Sequence, residues 1–197
     1  ANSYSPFTGC HLINFANSNT SSNIYPSIQV GMIVSSNGIV KKVNIVNTFC
    51  TVELSKVQND KTVFGVYVFS EQTKSFKENE YIIDGTGKYI KNLLYNDITN
   101  NSDDDNDSNN IKTLYYAAAV GEGCILVSNY GGEIQNGDYI TSSPIAGYGS
   151  LQNDDIMYSY TVAKCTENID WDSVKQTVLY NNNTYKVYLT SCTYHCG

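Results

Sequence analysis

The feature that most limits what this chain can fold into is its punctuation. Short runs rich in Val, Ile, Tyr and Thr alternate with turn-forming Gly, Asn, Asp and Ser almost throughout, and no stretch sustains a helical period. "IQVGMIVSS" (28–36) and "IVKKVNIVN" (39–47) flank Asn37-Gly38, the dipeptide a tight two-residue hairpin prefers, so a hairpin is predicted there. "FCTVELS" (49–55) alternates in character. In "TVFGVYVFS" (62–70), Val63, Phe64, Val66 and Val68 read as a buried strand interrupted by Gly65. Further strands are predicted at "EYIID", "GKYIKNLL", "TLYYAAAV", "CILVS", "DYITS", "MYSYTVAKC", "QTVLYN" and "TYKVYLTSC". The alanines at 117–119 have helical propensity, but flanking tyrosines and glycines keep that segment a strand. The expected fold is all-β, an antiparallel β-barrel or β-sandwich with long loops and little helix.

The 197 residues suit one β-rich domain spanning 1–197, with substructure at 1–95, an acidic loop at 96–111 and a C-terminal β part at 112–197. A net charge of −7 with no cluster of Lys and Arg argues against nucleic acid and against an anionic membrane surface. No apolar run approaches the roughly 18 residues of a spanning helix, so no membrane insertion is expected. "ANSYSPFTGC" has no leader pattern, so Ala1 is read as the start of a mature, processed chain or of an expression product.

Six cysteines, Cys10, Cys50, Cys124, Cys165, Cys192 and Cys196, are an even set that fits three disulfides without choosing among 15 pairings. The sequons at Asn19, Asn100, Asn106 and Asn182 fit the same oxidising, extracellular setting. Both histidines adjoin cysteines. Were the termini to meet, Cys10, His11, Cys192, His195 and Cys196 could surround a zinc ion, but bonding of Cys10 to Cys192 or Cys196 is the preferred expectation. Asp103, Asp105 and Asp107, with Asn109, open like a calcium loop. Ser108 then stands where glycine is wanted and Leu114 where the bidentate glutamate belongs, so a solvated acidic loop is the main expectation.

Catalysis finds little footing. Glu122, Glu133, Asp138, Asp154 and Asp155 could furnish a carboxylate pair, as in almost any acidic protein, and "GTGKY" (85–89) lacks the pattern of a phosphate loop. No catalytic residue and no cofactor is assigned. The 17 tyrosines, against one Trp, suit half-wet strands and surfaces that bind other surfaces. In "GDYITSSPIAGYG" (137–149), Pro144 and Gly147 restrict the backbone to a defined loop that is expected to present Tyr148 outward. Tyr148, Tyr130 and Pro144 are the candidate subunit contacts.

The segment Val120 to Cys165, with its "GDYIT" turn and strand, its "PIAGYG" loop, its "QNDD" step and "YTVAK", resembles a domain of phage tail-fibre and appendage proteins and of giant-virus surface proteins. "FTGCH" (7–11), "VELSKVQNDKTVFGV" (52–66) and "YLTSCTYHCG" (188–197) agree with it in order. Part of that family is similar to the intramolecular-chaperone, autoproteolytic domain, but "TENIDWDS" (166–173) does not place its acids as self-cleavage requires. Two departures stand out: Cys10, where relatives often carry a polar residue, and Ala146, where a proline–glycine pair is common.

The resemblance implies a non-enzymatic structural subunit of an extracellular or virion-surface fibre or appendage. Such a subunit would be a homo-oligomer or polymer, assembled through tyrosines and strand edges and stabilised by disulfides. The alternatives are a host-surface or glycan-binding module, with Trp171 and tyrosines as stacking platforms, and a self-cleaving chaperone domain.

Overall fold

The computed structural model describes residues 9–16, 28–42, 48–73, 81–83, 89–91 and 112–196. Among them the regular structure is almost entirely β. The first half forms β1 (Cys10–Phe15), β2 (Ile33–Lys42), β3 (Thr48–Leu54) and β4 (Val63–Thr73), with a small hairpin of β5 (Tyr81–Ile83) and β6 (Tyr89–Lys91). β7 (Lys112–Ala118) then returns to the first half, and β1, β3, β2, β4 and β7 close into a barrel in that order. β1 seals it, running parallel to β3 on one side and antiparallel to β7 on the other.

Period-two patterning explains which side chains enter this barrel. Ile13 and Phe15 on β1 and Val52 and Leu54 on β3 are buried, while Asn14 is exposed and Thr51 and Glu53 are only half-covered. On β4 the burial is shifted from the expected set: Val66 and Tyr67 are fully inside, while Val63, Phe64 and Val68 are half-buried. Gly65 has a steric reason. A Cβ there would lie 2.5 Å from the carbonyl oxygen of Ala118, so only glycine lets β7 approach.

Asn37-Gly38 does not make a hairpin. β2 runs straight through it, and the register against β3 jumps from Ser36↔Val52 to Val40↔Cys50, leaving two extra residues on β2. The dipeptide builds a bulge, in which Asn37 Oδ1 accepts the Ile39 N–H at 3.0 Å and Ser36 Oγ accepts the Gly38 N–H at 3.2 Å. The tight hairpin lies elsewhere. Asn181 and Asn182, with φ of 48° and 62°, join β12 (Thr177–Tyr180) to β13 (Asn183–His195), as a turn with two left-handed central residues requires.

The second half comprises β8 (Val120–Ser128), β9 (Tyr139–Ser142), β10 (Gly149–Leu151), β11 (Thr161–Cys165), β12 and β13. They line up as β11-β9-β10-β8-β13-β12, and a further pairing of β11 with β13 joins five of them into a ring from which β12 projects. Ile125, Val127, Ile140 and Val162 fill its interior. Trp171, 2 % exposed, packs into the same core and donates its indole N–H to the Ile134 carbonyl at 3.0 Å.

The two halves meet between β7 and β8, at Ala119, so β7 belongs with the first barrel and not with a C-terminal part beginning at 112. Their cores interpenetrate. Ile33, Val66 and Ala118 of the first barrel share a buried cluster with the second, and Leu126 of the second lies in the cluster of the first.

Gly65→Ala is expected to destabilise the protein by about 1–3 kcal/mol through overpacking against an immovable carbonyl. A thermal melt would show this as a Tm lowered by roughly 3–10 °C.

Candidate functional site

Among the described residues an extensive polar network lies at the seam between the barrels, and the loop after β9 builds half of it. Within Ile145–Tyr148 the Tyr148 N–H donates to the Ile145 carbonyl at 3.0 Å, and Gly147 takes φ +80°, as the third residue of a type II turn must. Ser143 braces the turn, accepting the Ile145 N–H at 3.2 Å and donating to the Tyr148 carbonyl at 2.7 Å. Gly147 then bonds outward twice: its N–H donates to the Ser55 carbonyl at 2.7 Å, and its carbonyl accepts the Ile33 N–H at 2.8 Å. A Cβ on Gly147 would press on the Met32 side chain at 3.0 Å. The defined loop is thus a clasp on the first barrel. Tyr148 is half-buried against the first barrel's core, which raises its pKa by desolvation, and is not presented outward.

The other half of the seam is the turn after β3. Asp60 Oδ2 accepts the hydroxyls of Ser35 at 2.6 Å and Ser55 at 3.2 Å, while Oδ1 accepts the Thr62 N–H at 2.8 Å and its hydroxyl at 2.6 Å. The Asp60 N–H donates to Ser142 Oγ at 2.9 Å, and that hydroxyl donates to the Val57 carbonyl at 2.8 Å, tying the turn to β9. Burial alone would push the Asp60 carboxyl up. The bonds from Ser35, Thr62 and Ser55 outweigh it and hold the pKa below the usual carboxylate range. With its oxygens so engaged, Asp60 is a fixed charge and a fastener.

The thiols are all free. Cys10 is exposed on β1 opposite Ala118, whereas Cys192 is 2 % exposed inside the second barrel, so the expected bond between them does not form. Cys50 lies in the first barrel with its thiol on Ser36 Oγ at 3.1 Å, Cys124 is exposed, and Cys196 donates to the Val162 carbonyl at 3.4 Å. Gly9 and Cys196 do meet at Ala119, whose N–H donates to the Gly9 carbonyl and whose carbonyl accepts the Cys196 N–H. Their side chains diverge. His11 lies edge-on to Phe64 at 5.9 Å and His195 edge-on to Tyr139 at 6.4 Å, and no group of three or more metal-binding side chains forms among the described residues.

The candidate acids are scattered. Glu122, Glu133 and the adjacent Asp154 and Asp155 are exposed on three separate segments; Asp154 Oδ1 accepts the Ile156 N–H, and the half-buried Asp138 accepts the Gln135 N–H. Pro144 is half-buried, and Tyr130 packs against Tyr180 and Tyr185 at 6.1 and 5.3 Å. Trp171 is sealed in the core, which removes it as a stacking platform. Asn182 is exposed in the β12–β13 turn. Asp103, Asp105, Asp107, Asn19, Asn100 and Asn106 lie outside the described residues.

No protein-family model, no curated protein and no solved structure matches the chain.

Sequence reasoning passed over Asp60, Ser142 and Glu167. Glu167 accepts the Ser191 N–H at 2.9 Å, the Tyr188 hydroxyl at 2.7 Å, and the hydroxyls of Ser191 and Thr190, which lower its pKa in that order of Ser191 backbone first and Tyr188 next. The one readable signal was Asp-x-Thr at 60–62, a pattern in which the aspartate accepts the N–H two residues on.

Because the folded pKa of Asp60 is depressed, its contribution is present above the unfolded value of about 4 and is lost as pH falls through the lower folded value. Asp60→Asn is expected to unfold more easily at pH 7, by about 1–2 kcal/mol. Urea melts between pH 2 and 7 should also show a shallower acid dependence than the wild type.

Proposed function

We propose that this chain is a structural subunit of an extracellular or virion-surface fibre or appendage, joining identical copies through a strand edge flanked by tyrosines. The observation that carries the reading is β12. Closed rings leave few edges, but among the described residues β12 pairs with β13 alone. The Val187 N–H donates to the Gln176 carbonyl at 3.0 Å, so by antiparallel alternation Val178 and Tyr180 face β13, while Thr177 and Leu179 aim their backbone groups outward.

Such an edge is a template for another strand. Leu179 on it is 70 % exposed, and the Tyr130, Tyr180 and Tyr185 cluster lies toward the turn end of the same hairpin. Exposed Ile156 and Met157 beside the stacked Tyr158–Tyr160 pair, at 4.9 Å, add a second apolar tip. The resemblance of Val120–Cys165 to appendage domains supplies the setting. On this reading rigidity is the activity, and no bond is made or broken in a substrate.

Sedimentation of the wild type is expected to show concentration-dependent oligomers. Leu179→Pro, which removes one outward N–H and no hairpin bond, and Leu179→Lys, which keeps the backbone and adds charge, should both be monomeric with unchanged circular dichroism. A wild type that stays monomeric at every concentration, or variants that assemble equally well, would contradict the reading.

A further inference from the structure

A ring of strands is only as firm as its closing pair, which in the second barrel is β11 with β13. The last rung of that pair sets Cys165 opposite Cys192. The backbone defines the rung's type. The Thr166 N–H donates to the Ser191 carbonyl at 3.1 Å, whereas Cys165 turns the other way, its N–H donating to Asp138 at 2.9 Å and its carbonyl accepting from Gly137. Ser191 likewise directs its N–H toward β11's side, onto Glu167, which turns the main chain of Cys192 to β8. The Cys165/Cys192 rung is therefore non-hydrogen-bonded. Such rungs hold Cα atoms about 4.5 Å apart with both side chains on one face. That separation lies within the roughly 4.4–6.8 Å that a disulfide spans.

Both side chains belong to one buried cluster, at 1 % and 2 % exposure. The Cys165 thiol sits 3.3 Å from Thr190 Oγ1, the residue two before Cys192 on the same face of β13. Among the other cysteines, Cys50 is in the first barrel's core, Cys124 and Cys10 are exposed, and Cys196 is turned to Val162.

We propose that Cys165 and Cys192 form a cross-strand disulfide that locks the second barrel shut, made during folding by exchange with a small-molecule disulfide. One cysteine thiolate attacks oxidised glutathione, forming a mixed disulfide and releasing one glutathione thiolate. The second cysteine then attacks the protein sulfur and releases the other. The protein loses two protons and two electrons, and the reagent's S–S bond becomes two thiols. Folding is the time for it. In the closed barrel burial raises the Cys192 thiol far above its ordinary pKa, with Cys124, Cys165 and Cys196 adding to the effect, so the attacking thiolate becomes scarce. As a means of stiffening a subunit the bond rests on the proposed function, but its chemistry does not require assembly.

The test refolds the full reduced chain with and without a reduced/oxidised glutathione mixture, then counts thiols by alkylation in denaturant and maps the peptides. Expected after oxidative refolding are two fewer alkylated cysteines, a cross-link between the Cys165 and Cys192 peptides, and a Tm about 5–10 °C above that of the reduced protein. Cys192→Val, which preserves an apolar core side chain, should refold with all five remaining thiols alkylated. Six free thiols, or a bond joining any other pair, would overturn the proposal. Sedimentation of the same samples separates the two readings: a cross-linked monomer keeps the bond and removes assembly, and an oligomer with six free thiols does the reverse.

Discussion

Gly31, Met32 and Ile33 form a short piece of backbone shared by both barrels, and the architecture depends on it. The Gly31 N–H donates to Tyr67 on β4 while its carbonyl accepts the Leu126 N–H from β8. The Met32 carbonyl accepts from Tyr67, and Ile33 exchanges into the clasp at Gly147. Each such bond contributes only about 1 kcal/mol net, but leaving one of these buried groups unpaired would cost about 1–3 kcal/mol. With Ile33 and Leu126 each fully or nearly fully buried beside the other barrel's side chains, sliding the halves apart would break polar and apolar contacts together.

That constraint determines what the surface can offer. At the seam between the two rings, Asp60 has its carboxylate occupied by hydroxyls and a backbone N–H. Among the described residues, apolar and aromatic tips face outward together with the outer edge of β12. The proposed Cys165–Cys192 bond would add a covalent tie between β11 and β13 within the second ring.

Period-two alternation and turn chemistry made the all-β class legible, since strands buried on one face must show it. Which turn closes which strand was not legible. Asn-Gly at 37–38 and Asn-Asn at 181–182 both tolerate left-handed backbone, and only long-range pairing with β3 makes the first a bulge while local pairing makes the second a hairpin. β1 and the three-residue β10 were missed because neither carries the run of β-branched and aromatic residues that marked the other strands; β1 is defined by its two neighbours. Tyr148 and Trp171 failed for a related reason: an aromatic residue in a polar stretch looks like a contact surface until the rest of the chain is found covering it, the first barrel for Tyr148 and the second barrel's own core for Trp171.

Native-state hydrogen exchange tests the welded-barrel account most directly. The amides of Gly31, Ile33, Tyr67, Leu126 and Gly147 are expected to exchange only through global unfolding, at one free energy shared with core amides of both barrels. Exchange of one barrel at a distinctly lower free energy while the other stays protected, or of the seam amides through small local openings, would contradict it.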